Sequence, residues 1–270
     1  MRRVFLALLL NAAALFSNES APPVRAAVIG GMTMSGLWQE IAEAFEATHH
    51  IPVELVVTGP KRVLDAYCRR FPVDLVTMHA SDTIVDLAAD GYVERLTPWV
   101  RNAQMLVGHR SDPADVASAG SLKEALNRLS ASGAPFLVHA SGGTFEVFNA
   151  LHTALGWRPP EKRVRFTTAK RGFLRDTAEM EGYTLYGTIP FLMHKQHDPE
   201  ITGFFFDDPA LRRPYLAAVG TEDRIGRARR ARAELLLEFL ASPRIQSLVE
   251  RFRIQSFEST PVFFPATPRR

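Results

Sequence analysis

The segment Phe136-Leu137-Val138-His139-Ala140-Ser141-Gly142-Gly143-Thr144 runs from an apolar, strand-prone stretch into a small loop rich in glycine and hydroxyls, and a helical pattern starts at Phe145. Glycines let a backbone turn sharply and come close to a ligand. A helix start presents free N–H groups and the positive end of a dipole, which suits an anion. Ser141 and Thr144 add hydroxyls, and the competing role for Thr144 is a helix N-cap. Three further loops share this build: Gly30-Gly31-Met32-Thr33-Met34-Ser35, Thr58-Gly59-Pro60 and His79-Ala80-Ser81. All four follow strand patterns, and open α/β sheets bind ligands beyond the carboxyl ends of their parallel strands. The expected site therefore combines backbone donors at Gly30, Gly31, Gly59, Gly142 and Gly143 with hydroxyls of Thr33, Ser35, Thr58, Ser141 and Thr144. His139 adds a pH-sensitive donor, and Lys61, Arg62, Lys170 and Arg171 stand near enough to add positive field or simply to lie on the surface.

Signals for catalysis are poor. The run His139-Ala140-Ser141-Gly142-Gly143 lacks the leading glycine of a nucleophile elbow. His194 and His197 could share a helix face, but no HExxH pattern and no third ligand accompany them. No P-loop lysine pattern occurs. The expectation is a binding protein with no metal and no cofactor.

The elements that must position these loops alternate. Strands are predicted at 26–29, 52–57, 73–78, 103–108, 136–138, 163–167, 183–186, 201–206 and 215–219. Helices are predicted at 35–48, 61–70, 82–89, 121–132, 144–155, 171–181, 227–240 and 244–252. His49-His50 should cap the helix before it, and Ser121 with Glu124 forms a capping box. Strand, helix, strand, helix, strand is the pattern of a parallel sheet with crossover helices. The whole reads as two α/β lobes joined by crossing strands near 104–108 and 200–219, with residues 27–105 and 207–270 in lobe 1 and 106–206 in lobe 2.

Residues 1–26 read as a cleaved signal peptide, with Met1-Arg2-Arg3 ahead of an apolar run from Val4 to Phe16 and a small-residue site at Val24-Arg25-Ala26. Its removal leaves 29 basic against 28 acidic residues and lowers the formal charge from +3 to +1. That weakens any case for nucleic-acid binding. Arg227, Arg229, Arg230 and Arg232 then read as a solvated helix face. Cys68 is the only cysteine, so no internal disulfide forms, and it is expected to be a buried small hydrophobe.

Several of these segments resemble one family. Val73-Asp74-Leu75-Val76-Thr77-Met78-His79-Ala80, Asp90-Gly91-Tyr92, Gly133-Ala134-Pro135-Phe136, Glu181-Gly182-Tyr183-Thr184-Leu185, Asp207-Asp208-Pro209-Ala210-Leu211 with Pro214-Tyr215, Leu240-Ala241-Ser242-Pro243 and Pro261-Val262-Phe263-Phe264-Pro265 are similar to motifs of tungstate ABC importer substrate-binding proteins. The resemblance covers nearly the whole mature chain. It implies the two-lobed type II periplasmic binding-protein fold, with mixed sheets flanked by helices and a cleft between the lobes. It further implies a monomer in the periplasm that binds a small oxyanion of the tungstate/molybdate class. Its partner would be an ABC permease in the inner membrane, with no nucleic-acid partner. The loops depart from the family pattern. Gly30-Gly31-Met32 replaces a threonine run, His139 stands nearest a usual arginine, and Tyr186-Gly187-Thr188 occupies the place of another. A different small anion or carboxylate, a sensor domain for a membrane signalling partner, and a secreted hydrolase using Ser141 and His139 are the alternatives.

Overall fold

The computed structural model describes residues 21–140, 142–169, 172–193, 199–255 and 257–266. The chain opens with β1 (Val24–Ile29), α1 (Gly30–Ser35), α2 (Leu37–His49), β2 (Val53–Gly59), α3 (Lys61–Arg70), β3 (Leu75–His79), α4 (Asp82–Ala89) and β4 (Val93–His109). It continues through α5 (Leu122–Ser132), β5 (Phe136–His139), α6 (Gly143–Ala154), β6 (Val164–Thr167), α7 (Phe173–Glu179), β7 (Tyr183–Gly187), α8 (Thr188–Met193) and β8 (Ile201–Phe204). It closes with β9 (Arg212–Gly220), α9 (Glu222–Ile225), α10 (Arg227–Ala241), α11 (Pro243–Arg251) and β10 (Phe263–Pro265).

Strands flanked by helices on both faces read as near-continuous apolar runs. β1 and β3 have this character and are almost wholly buried, whereas β2 lies at the edge and is only partly buried. The sheet order is β2-β1-β3-β9-β4-β7-β5-β6, with β10 and β8 also paired to β4. β1 is parallel to β2 and β3, and β5 is parallel to β6 and β7. The expected parallel units are therefore present in both halves. Antiparallel β9 and β4 join them, which makes the sheets mixed.

β4 is much longer than the 103–108 segment expected, and it is the structural spine. Up to Ala103 it pairs with β9 in the first lobe, and from Gln104 it pairs with β7 in the second. The return crossing lies between β8 and β9, with Leu211 in the second lobe's core. One core gathers Phe45, Trp99, Tyr215 and Phe239, and the other gathers Leu126, Phe136, Phe148 and Trp157. Both indoles are satisfied where they are buried. Trp99 Nε1 donates to Thr77 Oγ1 at 2.9 Å, and Trp157 Nε1 donates to Leu126 O at 2.9 Å.

Several local expectations change. Gly30–Ser35 is not a loop but a short helix, ended by Gly36 at φ 88°, a left-handed turn that a side chain would resist. α6 begins at Gly143 with Gly142 as N-cap, so Thr144 is not the cap. The capping box at Ser121 holds: Glu124 N donates to Ser121 Oγ at 3.2 Å, while Glu124 Oε2 accepts from Gly120 N at 2.9 Å. His50 is the C-cap of α2, as expected. Cys68 is buried, and its surroundings push the thiol up to about 12, chiefly by desolvation. The basic run on α10 is not simply solvated. Arg229 reaches the buried Asp74 at 2.7 Å, and Arg230 reaches Glu94 at 2.7 Å. The cleavage point expected after Ala26 falls inside β1, where Val24 and Ala26 are fully buried. Among the described residues no helix is long and apolar enough to cross a membrane.

Candidate functional site

The loop ends predicted from sequence converge on one cavity of about 520 Å³ between the lobes. It lies where the chain changes sheet, at Ala103–Gln104 of β4. From the first lobe come Ile29, Gly30, Gly31 and Met34 after β1, Gly59 and Pro60 after β2, and His79 at the end of β3. From the second come Gly143 and Thr144 at the start of α6, then Tyr186, Gly187, Ile189 and Pro190 around the β7–α8 junction. Asn102, Gln104, Arg213 and Tyr215 form the hinge side.

Of the predicted site residues, Gly30, Gly31, Gly59, Gly143 and Thr144 therefore line the cavity. Thr33 and Thr58 do not line it but bond to each other across 2.8 Å, and Thr33 Oγ1 also donates to Gly30 O at 3.0 Å. They tie α1 to the end of β2. Ser35 also lies off the cavity; its hydroxyl donates to Met32 O at 3.1 Å and accepts from Leu37 N at 3.4 Å, bridging α1 and α2. Gly142 is displaced from the lining by one residue, with φ 74°. His139 is not in the lining, and its ring packs edge-on to Phe173 at 5.6 Å. Ser141, Lys170, Arg171, His194 and His197 lie outside the described residues.

The side chains that sequence reasoning missed carry most of the polarity. Among the described residues Arg213 is the one permanently charged residue in the lining; it is only 8% exposed and donates to Glu146 Oε2. Its guanidinium rests against the backbone of Gly143, where a Cβ would sit 2.5 Å from Arg213 Cζ. Gly143 thus makes room for the cation, a close approach that only glycine permits. Lys61 Nζ stands 3.4 Å from Glu146 Oε1, so Glu146 of the second lobe meets two cations of the first.

Around this pair the cavity is polar but uncharged. Asn102 and Gln104 are buried, and Thr144 Oγ1 lies 3.5 Å from Gln104 Oε1. His79 stacks on Tyr215 with 4.1 Å between ring centres. Burial first, then Arg213 and Lys61, hold the His79 pKa well below the usual imidazole range. It is therefore neutral at physiological pH. Burial likewise raises the Tyr215 phenol, which stays protonated. Among the described residues, His79 Nε2, Asn102 Oδ1 and Tyr215 Oη are buried without a hydrogen-bond partner. Buried polar atoms are normally paired, so three orphans on residues lining one cavity mark a place for a polar guest. A signal for this half of the site was present in the sequence. Asn102 and Gln104 interrupt the apolar run of β4, and polar residues in a buried strand are informative.

A two-lobed α/β protein with a polar cavity at its hinge is a solute-binding architecture. The model of the bacterial extracellular solute-binding protein family matches residues 26–252, and the chain belongs to that family. The tungstate-binding protein TupA of Desulfovibrio alaskensis superposes with a TM-score of 0.70 at 21% identity, covering 91% of this chain and 99% of that one. The tungstate ABC transporter structure from Geobacter sulfurreducens gives 0.66 at 21% identity, covering 86% and 98%. The expected resemblance to tungstate-binding proteins thus holds at the level of fold. Iron-bound HitA of Pseudomonas aeruginosa gives 0.52 at 15% identity, covering 83% of each chain, so the architecture alone does not choose between anion and cation. No curated protein sequence matches the chain.

Proposed function

We propose that the protein is the periplasmic solute-binding component of an ABC importer and holds a small oxyanion in the interlobe cleft. The observation that carries this reading is Arg213, a nearly buried guanidinium beside the N-terminus of α6, with the unpartnered Tyr215 hydroxyl in the same cavity. Guanidinium, phenol and amide N–H groups all donate, and charge-assisted bonds to an oxyanion are the stronger kind. The cleft lies at the hinge, so cargo touching both lobes would favour the closed arrangement. No bond is made or broken; the loaded protein passes its cargo to an inner-membrane permease. Tungstate is the candidate that the structural neighbours offer, molybdate is the one the sequence resemblance adds, and a carboxylate is the candidate favoured by Glu146, whose charge already faces Arg213.

Isothermal titration of the mature protein with tungstate, molybdate, sulfate, phosphate and a set of small monocarboxylates tests the proposal. Micromolar binding of at least one, lost in Arg213→Gln, is the expected result. Absence of binding for every anion would overturn it.

A further inference from the structure

Resting on the oxyanion reading, we infer that Glu146 sets the charge of the cargo, so that the cleft takes a small organic monocarboxylate with an apolar body in preference to a doubly charged tetrahedral oxyanion. Among the described residues the charges around the cavity are few. Among the described residues Arg213 is the only permanent charge in the lining, and Lys61, outside the lining, pairs with the same Glu146. Glu146 bonds Arg213 through Oε2 and faces Lys61 through Oε1 at 3.4 Å. Among the described residues, two positive charges and one negative leave a single positive charge for a guest. A dianion would either leave one charge uncompensated by any described side chain of the lining or have to displace the Glu146 carboxylate. Like charges brought together in such a place are costly and act against the wrong partner.

The walls agree with the charge count. Neutral His79, Asn102, Gln104 and Tyr215 offer hydrogen bonds but no formal charge. Ile29, Met34, Pro60, Ile189 and Pro190 give the lining its apolar surface. The cavity of about 520 Å³ is of the size that encloses organic ligands, roughly 300–1,000 Å³. Glu146 itself shows the geometry: a carboxylate already rests on Arg213, so the guanidinium is preset for a second one on its cavity side.

Titration of the full mature chain and of Glu146→Gln and Glu146→Asp with tungstate, molybdate, sulfate, isovalerate and benzoate tests this. In the unmodified protein a monocarboxylate should bind at least about ten-fold more tightly than any dianion. Glu146→Gln should raise dianion affinity by about ten-fold or more while changing monocarboxylate affinity less, and Glu146→Asp should keep the original preference. Glu146 is half-exposed but pairs with the nearly buried Arg213, so a thermal melt of each variant accompanies the titrations to separate lost folding from changed preference. Tight tungstate or molybdate binding that Glu146→Gln does not strengthen would overturn the inference and leave the oxyanion reading intact. No binding by any of the five probes would overturn the inference, and no binding by phosphate either would remove the oxyanion reading with it. Should the Gln variant not fold, a dianion preference in the unmodified protein would itself overturn the inference.

Discussion

The pairing of Gly143 with Arg213 decides the character of the site at the scale of single residues. The sequence showed Gly143 as one of several glycines near a helix start, and the cation that explains it lies seventy residues downstream. Only the fold brings the two together, with the guanidinium laid over a backbone that has no Cβ. Gly143→Ala should push Arg213 out of place and weaken anion binding about ten-fold, a loss of roughly 1.4 kcal/mol. Alanine is the better helix former by about 1 kcal/mol, so the melting temperature should change little. Calorimetry and a thermal melt on the same sample check both halves, and unchanged affinity would show that Arg213 does not need that space. His139 was the expected charged partner because it sits next to the loop in sequence. The structure turns its ring onto Phe173 and supplies Arg213 from β9 instead.

Among the elements, the junction of β1, β3, β9 and α10 depends on one buried carboxylate. Asp74, 1% exposed, accepts from Arg25 N at 2.8 Å and from Arg229 Nε at 2.8 Å, while its own carbonyl accepts from Gly220 N at 2.9 Å. It thus ties the first strand, the returning strand and the C-terminal helix around the start of β3. Breaking a buried ion pair from one side leaves an uncompensated charge. Arg229→Met should therefore cost about 3 kcal/mol in denaturant unfolding. A loss below about 1 kcal/mol would place Arg229 among ordinary surface cations. The sequence displayed Arg229 only as one member of a basic run, because periodicity reports which face a residue occupies and not what waits opposite it.

Across the whole molecule, the lobes share β4, and the cavity sits where that strand passes from one to the other. The first strand bears on how the chain matures. Val24 N donates to Pro52 O at 2.9 Å, and removing residues through Ala26 would delete half of β1. The signal-peptide reading therefore carries a sharper expectation: cleavage falls before Val24. Mass spectrometry of the exported protein reads this directly, and a mature chain beginning at Ala27 would sink it. Most of the fold was legible in the sequence because buried parallel strands are apolar runs and the helices between them keep their period. Lys61–Arg70 and Asp82–Ala89 fall where the pattern put them. α1, α8 and β10 did not, since short segments carry too few residues for a period to appear. By itself the sequence determined the two-lobed alternation of elements and the glycine-bearing strand ends that converge on the cleft, because these depend on local pattern. Only the tertiary structure decided the charge in that cleft. Lys61, Glu146 and Arg213 belong to three separate elements, and an ion pair across a hinge leaves no periodic trace along the chain.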